Sequence, residues 1–431
     1  MVDQTASDSP LQTQDNSGLL TTHDGQPLKK SLAKALRREK LRALLLIAPL
    51  LIFIFMTFIL PIADMLMRSV ENDIVSNTLP QTVVELKAWD PQSGELPPES
   101  AYKALAADLK VAVEEKIHTR LGSRLNYDKA GMSGLFRKTG REMRKFKDDQ
   151  PAKDQFIRFD KDWGQIETFT VIRRLSPTYT DSYFLSSVDR ERVSTGVQMK
   201  PENEQIYIKL FIRTIMMSVL ITLSCALLGY PVAYLLATLP TKSSNMLLIL
   251  VLLPFWTSLL VRTSAWKVLL QQQGVINDLL VWIGIIADDN RLVMINNMTG
   301  TIIAMTHILL PFMILPLYSV MKTISPSFVR ASKSMGATDW TTFWKIYFPN
   351  TIPGIGAGSI LVFILAIGYY ITPELVGGTS GVFISNRIAY HISSSLNWGL
   401  AAALGAILLF LVLALYWVYD RIVGIDNVKL G

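Results

Sequence analysis

The chain of 431 residues has a single cysteine and few charged side chains. Cys225 lies inside an apolar run, and one cysteine can form neither an internal disulfide nor, by itself, a metal or thiol-redox site. Only 18% of the residues are charged and 50% are hydrophobic, whereas soluble domains carry about a quarter charged residues. The chain also contains no Gly-x-x-x-x-Gly-Lys-Ser/Thr sequence, so it has no usual P-loop for ATP phosphates. These shortages favour an integral membrane protein without its own ATPase site.

Six uncharged stretches are each long enough to cross a bilayer, which takes about 20 apolar residues. The residues before the first stretch, KKSLAKALRREKLR at 29–42, carry seven basic side chains and Glu39 as the one acid. Positive charge collects on the cytoplasmic side of membrane proteins, so both termini are predicted to be cytoplasmic. The net charge of +7 is explained by such flanks, and no nucleic-acid partner is expected. The stretches cover residues 43–63, 214–241, 243–261, 292–321, 350–373 and 392–419.

The segment between the first two spans has a different composition, with many charges and no apolar run of membrane length. Residues 100–121 have apolar positions at helical spacing, whereas QIETFTVIRR at 165–174 alternates in the manner of a strand. The predicted fold is an all-α membrane protein of six transmembrane helices, with a large α+β extracytoplasmic insertion between the first and second. The predicted order is a basic cytoplasmic tail at 1–42, a first transmembrane helix at 43–67, the insertion at 68–205, a five-helix core at 206–425 and a cytoplasmic tail at 426–431.

The loop between the fourth and fifth spans, residues 322–350, is long and partly aromatic. Ser325 and Pro326 predict the start of a helix, and Gly336 can end it in a left-handed conformation. A second short helix is predicted from about Asp339, ending at Pro349. Its aromatic stripe either packs on the protein's own spans or the lipid headgroups, or inserts into a groove on a partner. The stripe is formed by Trp340, Phe343, Trp344 and Tyr347.

The spacing of this loop resembles the cytoplasmic signature of ABC importer permeases of the methionine-permease-like (binding-protein-dependent transport) superfamily. That signature reads Glu-Ala-Ala, three residues, Gly, nine residues, Ile, any residue, Leu, Pro. Three positions differ in this chain, with Arg for Glu, Ser for the second Ala and Phe for Leu, although every spacing is kept. The first difference concerns a position that often contacts the ATPase in the family. The matching residues are Arg330, Ala331, Ser332, Gly336, Ile346, Phe348 and Pro349.

Other segments resemble the spermidine/putrescine-type permease subunits within that superfamily. YYITPELVGG at 369–378 is similar to their Thr-Pro-x-Leu-x-Gly-Gly stretch, and LLPFWTSLLVRTSAW at 252–266 is similar to their third span. Residues 212–237 resemble the start of the conserved domain, where Thr opens a span and Gly-x-Pro-x-Ala closes it. The resemblance covers roughly 207–425 and the first span.

The resemblance implies that the loop is a coupling element that docks on a dimer of cytoplasmic ATP-binding subunits. It implies a second permease subunit, in a heterodimer, and a periplasmic solute-binding protein, at the inner (plasma) membrane of a bacterium. No cofactor or metal is expected on this chain, since ATP and Mg would belong to the partner ATPase. The residues that the resemblance and the aromatic stripe assign to coupling are Arg330, Ala331, Ser332, Gly336, Trp340, Phe343, Trp344, Ile346 and Pro349.

Four residues are candidates for the substrate pathway. Glu374 follows Pro373 at the end of the fifth span and can offer charge to a cation, while Trp256, Tyr369 and Tyr370 can offer aromatic faces. The alternatives are that the aromatic residues pack or lie in an interfacial belt, and that Glu374 is a solvated helix end. His307, inside the fourth span, is either a proton-relay residue or a buried, hydrogen-bonded one.

The sequence therefore predicts the permease subunit of an ATP-driven, solute-binding-protein-dependent importer of polyamines or a similar small organic solute. It is not predicted to be an enzyme. The alternative is a secondary transporter or channel driven by an ion gradient, which would not need loop 322–350. A sensor domain on a membrane anchor is a further alternative, although six spans exceed what an anchor needs.

Overall fold

A long apolar helix opens the part of the chain that the computed structural model describes, residues 28–193 and 196–423. Most of the predicted N-terminal tail and all of the tail at 426–431 lie outside these residues. Helix α1 (Leu28–Ile54) continues through a π turn (Phe55–Ile59) into α2 (Leu60–Arg68). Together they give a candidate membrane span, Leu36–Arg68, with a mean hydropathy of 2.9. This agrees with the predicted first span. Among the described residues, those up to Met65 form one compact unit and those from Leu66 another.

Each of the two π turns in the described residues ends two positions before a proline. The first precedes Pro61, and the second (Phe343–Tyr347) precedes Pro349. A proline in a helix has no N–H for the carbonyl four residues earlier, and its ring clashes with that carbonyl. Widening the turn to the i−5 pattern moves the carbonyl away, as in the bond from Phe348 N to Phe343 O. The helix therefore continues past both prolines.

The insertion is mainly helical, with a single small sheet in its described part. Its core is built from large aromatic side chains, and hydrogen bonds tie some of them together. Trp163 Nε1 donates to Thr139 Oγ1 at 2.8 Å, and Tyr102 OH donates to the Trp163 carbonyl at 2.8 Å. The antiparallel strands are β1 (Arg190–Val193) and β2 (Gly196–Met199), with Arg190 opposite Met199. The helices are α3 (Ile74–Thr78), α4 (Pro80–Ala88), α5 (Glu99–Glu114), α6 (His118–Leu125), α7 (Met132–Glu142), α8 (Ala152–Phe159), α9 (Ile166–Arg174) and α10 (Ser182–Ser187).

The strand predicted at 165–174 is wrong, because this segment is helix α9. Its buried residues include Thr168, Phe169 and Ile172, which follow the helical spacing of three to four. Over so few residues an apolar run fits either period, and tertiary burial decides between them. The helical segment predicted at 100–121 is found, but it divides into α5 and α6 at Lys116, which has a φ of 60°.

The core that follows the insertion contains four continuous candidate spans and one bent pair, which gives up to six spans with the first helix. The bent pair, Thr241–Trp256 and Leu259–Leu269, meets at 96°. Pro254 lies in the 3₁₀ turn just before the bend. The helices are α11 (Tyr207–Thr238), α12 (Thr241–Leu252), α13 (Leu259–Leu269), α14 (Val275–Trp282), α15 (Met298–Thr323), α16 (Pro326–Ser334), α17 (Asp339–Thr342), α18 (Phe348–Gly368), α19 (Ile371–Val376), α20 (Ile384–Ser393) and α21 (Trp398–Val423).

Three predicted boundaries are corrected in this core. The short helix predicted to end at Pro349 instead runs through the π turn into α18. The fifth span therefore begins at Asp339. The same span ends at Gly368 rather than near 373, and α19 is a separate short helix. The last span begins at Trp398, because α20 stops at Ser393 and a loop intervenes. Hydropathy alone did not show the two breaks, since residues 369–370 and 394–397 are uncharged.

Helices α11, α15 and α18 pack tightly enough to bury small residues at their contacts. A side-chain carbon added at Gly358 would lie 2.7 Å from the sulfur of Met313, so a glycine allows α18 to approach α15 closely. Cys225 is fully buried in this cluster and its thiol donates to the Thr306 carbonyl. The apolar run that contains Cys225 in the sequence is therefore part of the packed core.

Candidate functional site

The loop between the fourth and fifth spans forms two short helices joined by a glycine hinge. The hydroxyl of Ser325 accepts a bond from Ser327 N and caps α16, with Pro326 in its first turn. Gly336 follows that helix with φ +87°, a conformation that disfavours residues with a Cβ atom. Thr338 then caps α17 by accepting from Thr341 N. The predicted helix, hinge and second helix are thus present. We call residues 325–349 the hinged segment.

Side-chain contacts across the hinge hold the two helices together. Ser332 Oγ and Thr342 Oγ1 lie 3.0 Å apart, and both residues are buried. Lys333 and Asp339 form an exposed ion pair over the same hinge. Ser332 stands where the family signature has alanine, so this difference adds a hydrogen bond. Thr342 was not identified from the sequence, because a single threonine in a helix carries no distinguishing pattern.

The aromatic stripe is divided between the protein's own core and the surface. Phe343 is half-buried, with its ring 6.1 Å from that of Tyr230, and Tyr347 is buried with its ring 5.3 Å from that of Tyr234. In contrast, Trp340 is 73% exposed and Trp344 44% exposed. The two tryptophan rings contact each other edge to face at 5.6 Å. The structure therefore separates the two alternatives by residue, since one half of the stripe packs internally and the other half presents an apolar pair.

The remaining residues of the predicted coupling set are distributed over both helices of the hinged segment. Arg330, Ala331 and Pro349 are exposed, whereas Ile346 is half-buried. Within the described residues Arg330 has no ion pair or hydrogen bond from its guanidinium group. An exposed guanidinium group and two exposed tryptophan rings on one short segment are features of a protein-binding surface, because Arg and Trp are enriched at interaction hot spots.

Three of the four predicted pathway residues are brought together by helix α20. Ser385 Oγ donates to the carbonyl of Tyr369 at 2.6 Å. Asn386 Nδ2 donates to the carbonyl of Tyr370 at 2.9 Å and to Glu374 Oε2 at 2.6 Å. Because Asn386 Oδ1 also accepts from the backbone of Phe383, this amide is fixed and orients the carboxylate. Glu374 is exposed and Tyr370 is 48% exposed, so both remain accessible.

Asn386 was missed by the sequence reasoning, although a signal was present. It occupies the third position of α20, where an amide often bonds back to the backbone at the start of a helix. Trp256 lies elsewhere, in the 3₁₀ turn at the bend before α13, and is 77% exposed. In the part of the chain that the structure describes, Trp256 makes no hydrogen bond with Glu374.

His307 is half-buried and hydrogen-bonded, with its Nδ1 accepting from Trp266 Nε1 at 3.0 Å. The bond fixes the neutral ring with its proton on Nε2. Arg262 lies on the same helix as Trp266, and its Nε is buried without an acceptor among the described residues. Within 28–193 and 196–423, no group of three or more His, Cys, Asp or Glu side chains could hold a metal ion.

Comparison with known proteins identifies a matching family and several similar proteins. Residues 214–424 match the family described as "Binding-protein-dependent transport system inner membrane component". The chain is 35% identical over 224 residues to "Spermidine/putrescine transport system permease protein PotB" of Salmonella typhimurium (strain SL1344), covering 51% of this chain and 77% of that protein. It is 34% identical to the protein of the same name from Escherichia coli (strain K12), covering 51% and 81%. The insertion lies before the matched family residues.

A solved structure is also similar, at 18% identity and a TM-score of 0.44. It is described as "Crystal structure of bacterial alginate ABC transporter in complex with alginate pentasaccharide-bound periplasmic protein", and the match covers 52% of this chain and 80% of that one.

Proposed function

The chain belongs to the binding-protein-dependent transport system inner membrane components, as the permease subunit of an ABC importer, and we propose that it imports polyamines such as spermidine or putrescine. The observation that carries the proposed solute is the identity of about a third with two permeases named for spermidine and putrescine transport. The family assignment does not support the ion-gradient-driven alternative or the anchored sensor.

The hinged segment supports a role in coupling to ATP hydrolysis. A separate cytoplasmic ATP-binding subunit, present as a dimer with ATP and Mg, would accept the exposed pair of Trp340 and Trp344 in a cleft. Burial of these exposed apolar rings in the cleft would stabilise the complex. The hydrogen bond between Ser332 and Thr342 would keep the two short helices together when the ATP-binding subunit moves. Movement of the ATP-binding subunit would therefore be passed to the span Asp339–Gly368, because the second helix of the segment is continuous with that span.

Glu374 supports a cationic solute. Its carboxylate is held by Asn386 at 2.6 Å and stands one turn from the exposed ring of Tyr370. A negative charge beside an aromatic face suits an ammonium group. Several ammonium groups on one chain, as in a polyamine, would strengthen this attraction. A second permease subunit would supply the other half of the pathway, and a periplasmic solute-binding protein would deliver the solute.

The orientation that we propose places both termini and the hinged segment in the cytoplasm and the insertion outside. The basic segment at 29–42 supports it through the positive-inside rule. Reporter cysteines at Lys138 and Lys333, each in a Cys225→Ser background, would test it. Lys138→Cys should react with an impermeant reagent added outside whereas Lys333→Cys should not, and the opposite pattern would invert the orientation.

The function is tested by purifying the chain with its ATP-binding subunit, second permease and solute-binding protein in lipid nanodiscs. ATP hydrolysis should rise when the binding protein is loaded with spermidine or putrescine and stay basal with the unloaded protein. A matched control is the same binding protein offered a monoamine or a neutral sugar alcohol. Stimulation that does not depend on the polyamine would refute the proposed solute but leave the permease assignment intact.

A further inference from the structure

A cavity of about 790 Å³ lies between the insertion and the residues that lead into the last span. Its wall includes Arg120 and Arg124 of α6, Arg137 of α7, and Asn397 just before α21. We call it the arginine cavity. A volume of this size is typical of sites for small organic ligands. It is separate from the hinged segment and from Glu374.

Two of the three guanidinium nitrogens of Arg124 donate hydrogen bonds to neighbouring side chains, and the third does not. Nε donates to Asn72 Oδ1 at 3.0 Å and Nη1 to Asp128 Oδ2 at 2.6 Å. The guanidinium carbon lies 4.5 Å from the centre of the Tyr183 ring. The side chain is only 7% exposed, and Nη2 is buried without an acceptor among the described residues. A buried charged donor without an acceptor is costly, so its presence requires an explanation.

Asn397 presents a second buried donor on the same wall. Its Oδ1 accepts from the backbone N–H of Leu400 and caps α21. Because only the oxygen of the amide can accept this bond, the cap fixes which way the amide points. Asn397 is 5% exposed, and its Nδ2 has no acceptor within the described part of the chain. Two donors of this kind on one wall indicate a ligand rich in acceptor oxygens.

Two properties of the cavity indicate the class of ligand: its net charge and its position relative to the membrane surface. Four arginines line it against two acids, Glu71 and Asp73, so the balance is positive. One of the arginines, Arg68, ends the candidate span Leu36–Arg68, and Trp398 begins the candidate span at α21. Basic and aromatic residues at span ends lie at the level of the lipid headgroups. An anionic group is therefore close to the cavity wherever the membrane contains acidic lipids.

We propose that the arginine cavity binds the phosphate of an anionic phospholipid headgroup. Guanidinium groups form charge-assisted, often paired hydrogen bonds to phosphate oxygens. The Nη2 of Arg124 and the Nδ2 of Asn397 would gain acceptors after small side-chain movements. The lipid would then join the insertion to the last span, since its ligands come from both. A free phosphate ion offers the same acceptor oxygens, so the test must separate the two sources.

The test uses the assembled transporter and two variants chosen so that the permease still folds. Asn397→Asp keeps the oxygen that caps α21 but replaces the unpartnered donor by a negative oxygen. Arg120→Gln removes one charge from an exposed residue of the wall. Their controls are Asn203→Asp and Arg158→Gln, which make the same changes at exposed residues of the insertion that do not line the cavity.

One arm measures the retention of phosphatidylglycerol from nanodiscs that otherwise contain phosphatidylcholine, by quantitative lipid mass spectrometry. The other arm titrates inorganic phosphate into delipidated detergent samples and follows thermal unfolding. We expect each cavity variant to weaken the apparent affinity for phosphatidylglycerol at least about tenfold, the effect of losing one hydrogen bond to a charged group. Each control should leave the affinity unchanged.

Three results would count against the proposal. Equal retention of phosphatidylglycerol by the cavity variants and the unmodified transporter would overturn it. Stabilisation by inorganic phosphate with no preference for phosphatidylglycerol would overturn the lipid as the source. Normal lipid retention together with lost stimulation by the solute-binding protein would assign the cavity to an acidic surface of that protein instead.

Discussion

Replacing Trp340 by alanine is the sharpest test of the proposed coupling surface. The residue is 73% exposed, so the permease itself gains little from its ring. Exposed substitutions usually change the free energy of unfolding by less than about 0.5 kcal/mol. An effect of Trp340→Ala on the assembled transporter would therefore arise at the contact with the ATP-binding subunit.

The size of the expected effect follows from the exposed area. A tryptophan side chain buries up to about 250 Å², so roughly 180 Å² of Trp340 remains for a partner to cover. At about 25 cal/mol per Å² this gives an upper limit of about 4–5 kcal/mol. Ordering and desolvation reduce such values, and truncation of an interface anchor commonly costs about 2 kcal/mol. We expect the ATP-binding subunit to bind roughly 30-fold more weakly, since 1.4 kcal/mol corresponds to tenfold.

The assay is the dissociation constant of the ATP-binding subunit for the permease in nanodiscs, measured beside thermal unfolding. Trp282→Ala is the matched control, because Trp282 is 83% exposed and lies on α14, far along the chain from the hinged segment. Phe343→Ala is a contrasting variant. It removes a half-buried ring packed on Tyr230 and should lower the stability of the permease by about 2–3 kcal/mol.

Two results would refute this reasoning. If Trp340→Ala and Trp282→Ala leave the dissociation constant equally unchanged, the exposed tryptophan pair is not the docking surface. If Trp340→Ala instead lowers the unfolding temperature as much as Phe343→Ala does, the ring is part of the permease's own core.

Three further predictions concern single residues. Gly336→Val should cost at least about 1–2 kcal/mol, because Gly336 has φ +87° and a β-branched residue resists it; binding of the ATP-binding subunit should weaken, and normal binding and transport would show that the hinge is dispensable. Glu374→Gln keeps the bond with Asn386 possible but removes the charge, so polyamine uptake should fall several-fold while basal ATP hydrolysis persists; unchanged uptake kinetics with saturating binding protein would remove Glu374 from the pathway. Burial and the nearby charge of Arg387 lower the pKa of His391 to about 4. Because this folded-state pKa lies below the unfolded value of about 6.5, the contribution of His391 to the free energy of unfolding is fully present above pH 6.5 and should fall by about 2 kcal/mol by pH 5. Thermal unfolding of His391→Gln should lack this pH dependence. An equal change of unfolding temperature with pH in both proteins would contradict the assignment.

Much of the architecture could be predicted from local properties of the sequence. Membrane spans follow from uncharged runs of sufficient length, because a bilayer tolerates few charges at depth. The hinged segment was also predictable, since Ser325, Pro326 and Gly336 act through their own backbone preferences. The resemblance to the family was also visible in the sequence, because the spacing of a short motif can be read without knowledge of the rest of the fold.

Other features depend on contacts between residues distant in the chain. Helix α9 was mistaken for a strand because only burial against the insertion core chooses its period. The continuation past Pro349 needed a widened turn that no propensity rule supplies. Asn386, which orients Glu374, acts across 12 residues.

The aromatic stripe shows the division most clearly. The sequence by itself determined that Trp340, Phe343, Trp344 and Tyr347 share helical spacing. Only the tertiary structure decided that Phe343 and Tyr347 face Tyr230 and Tyr234 on α11, while the two tryptophans face outward. Spacing places side chains around one helix axis, but the neighbouring helix decides which part of that surface is covered.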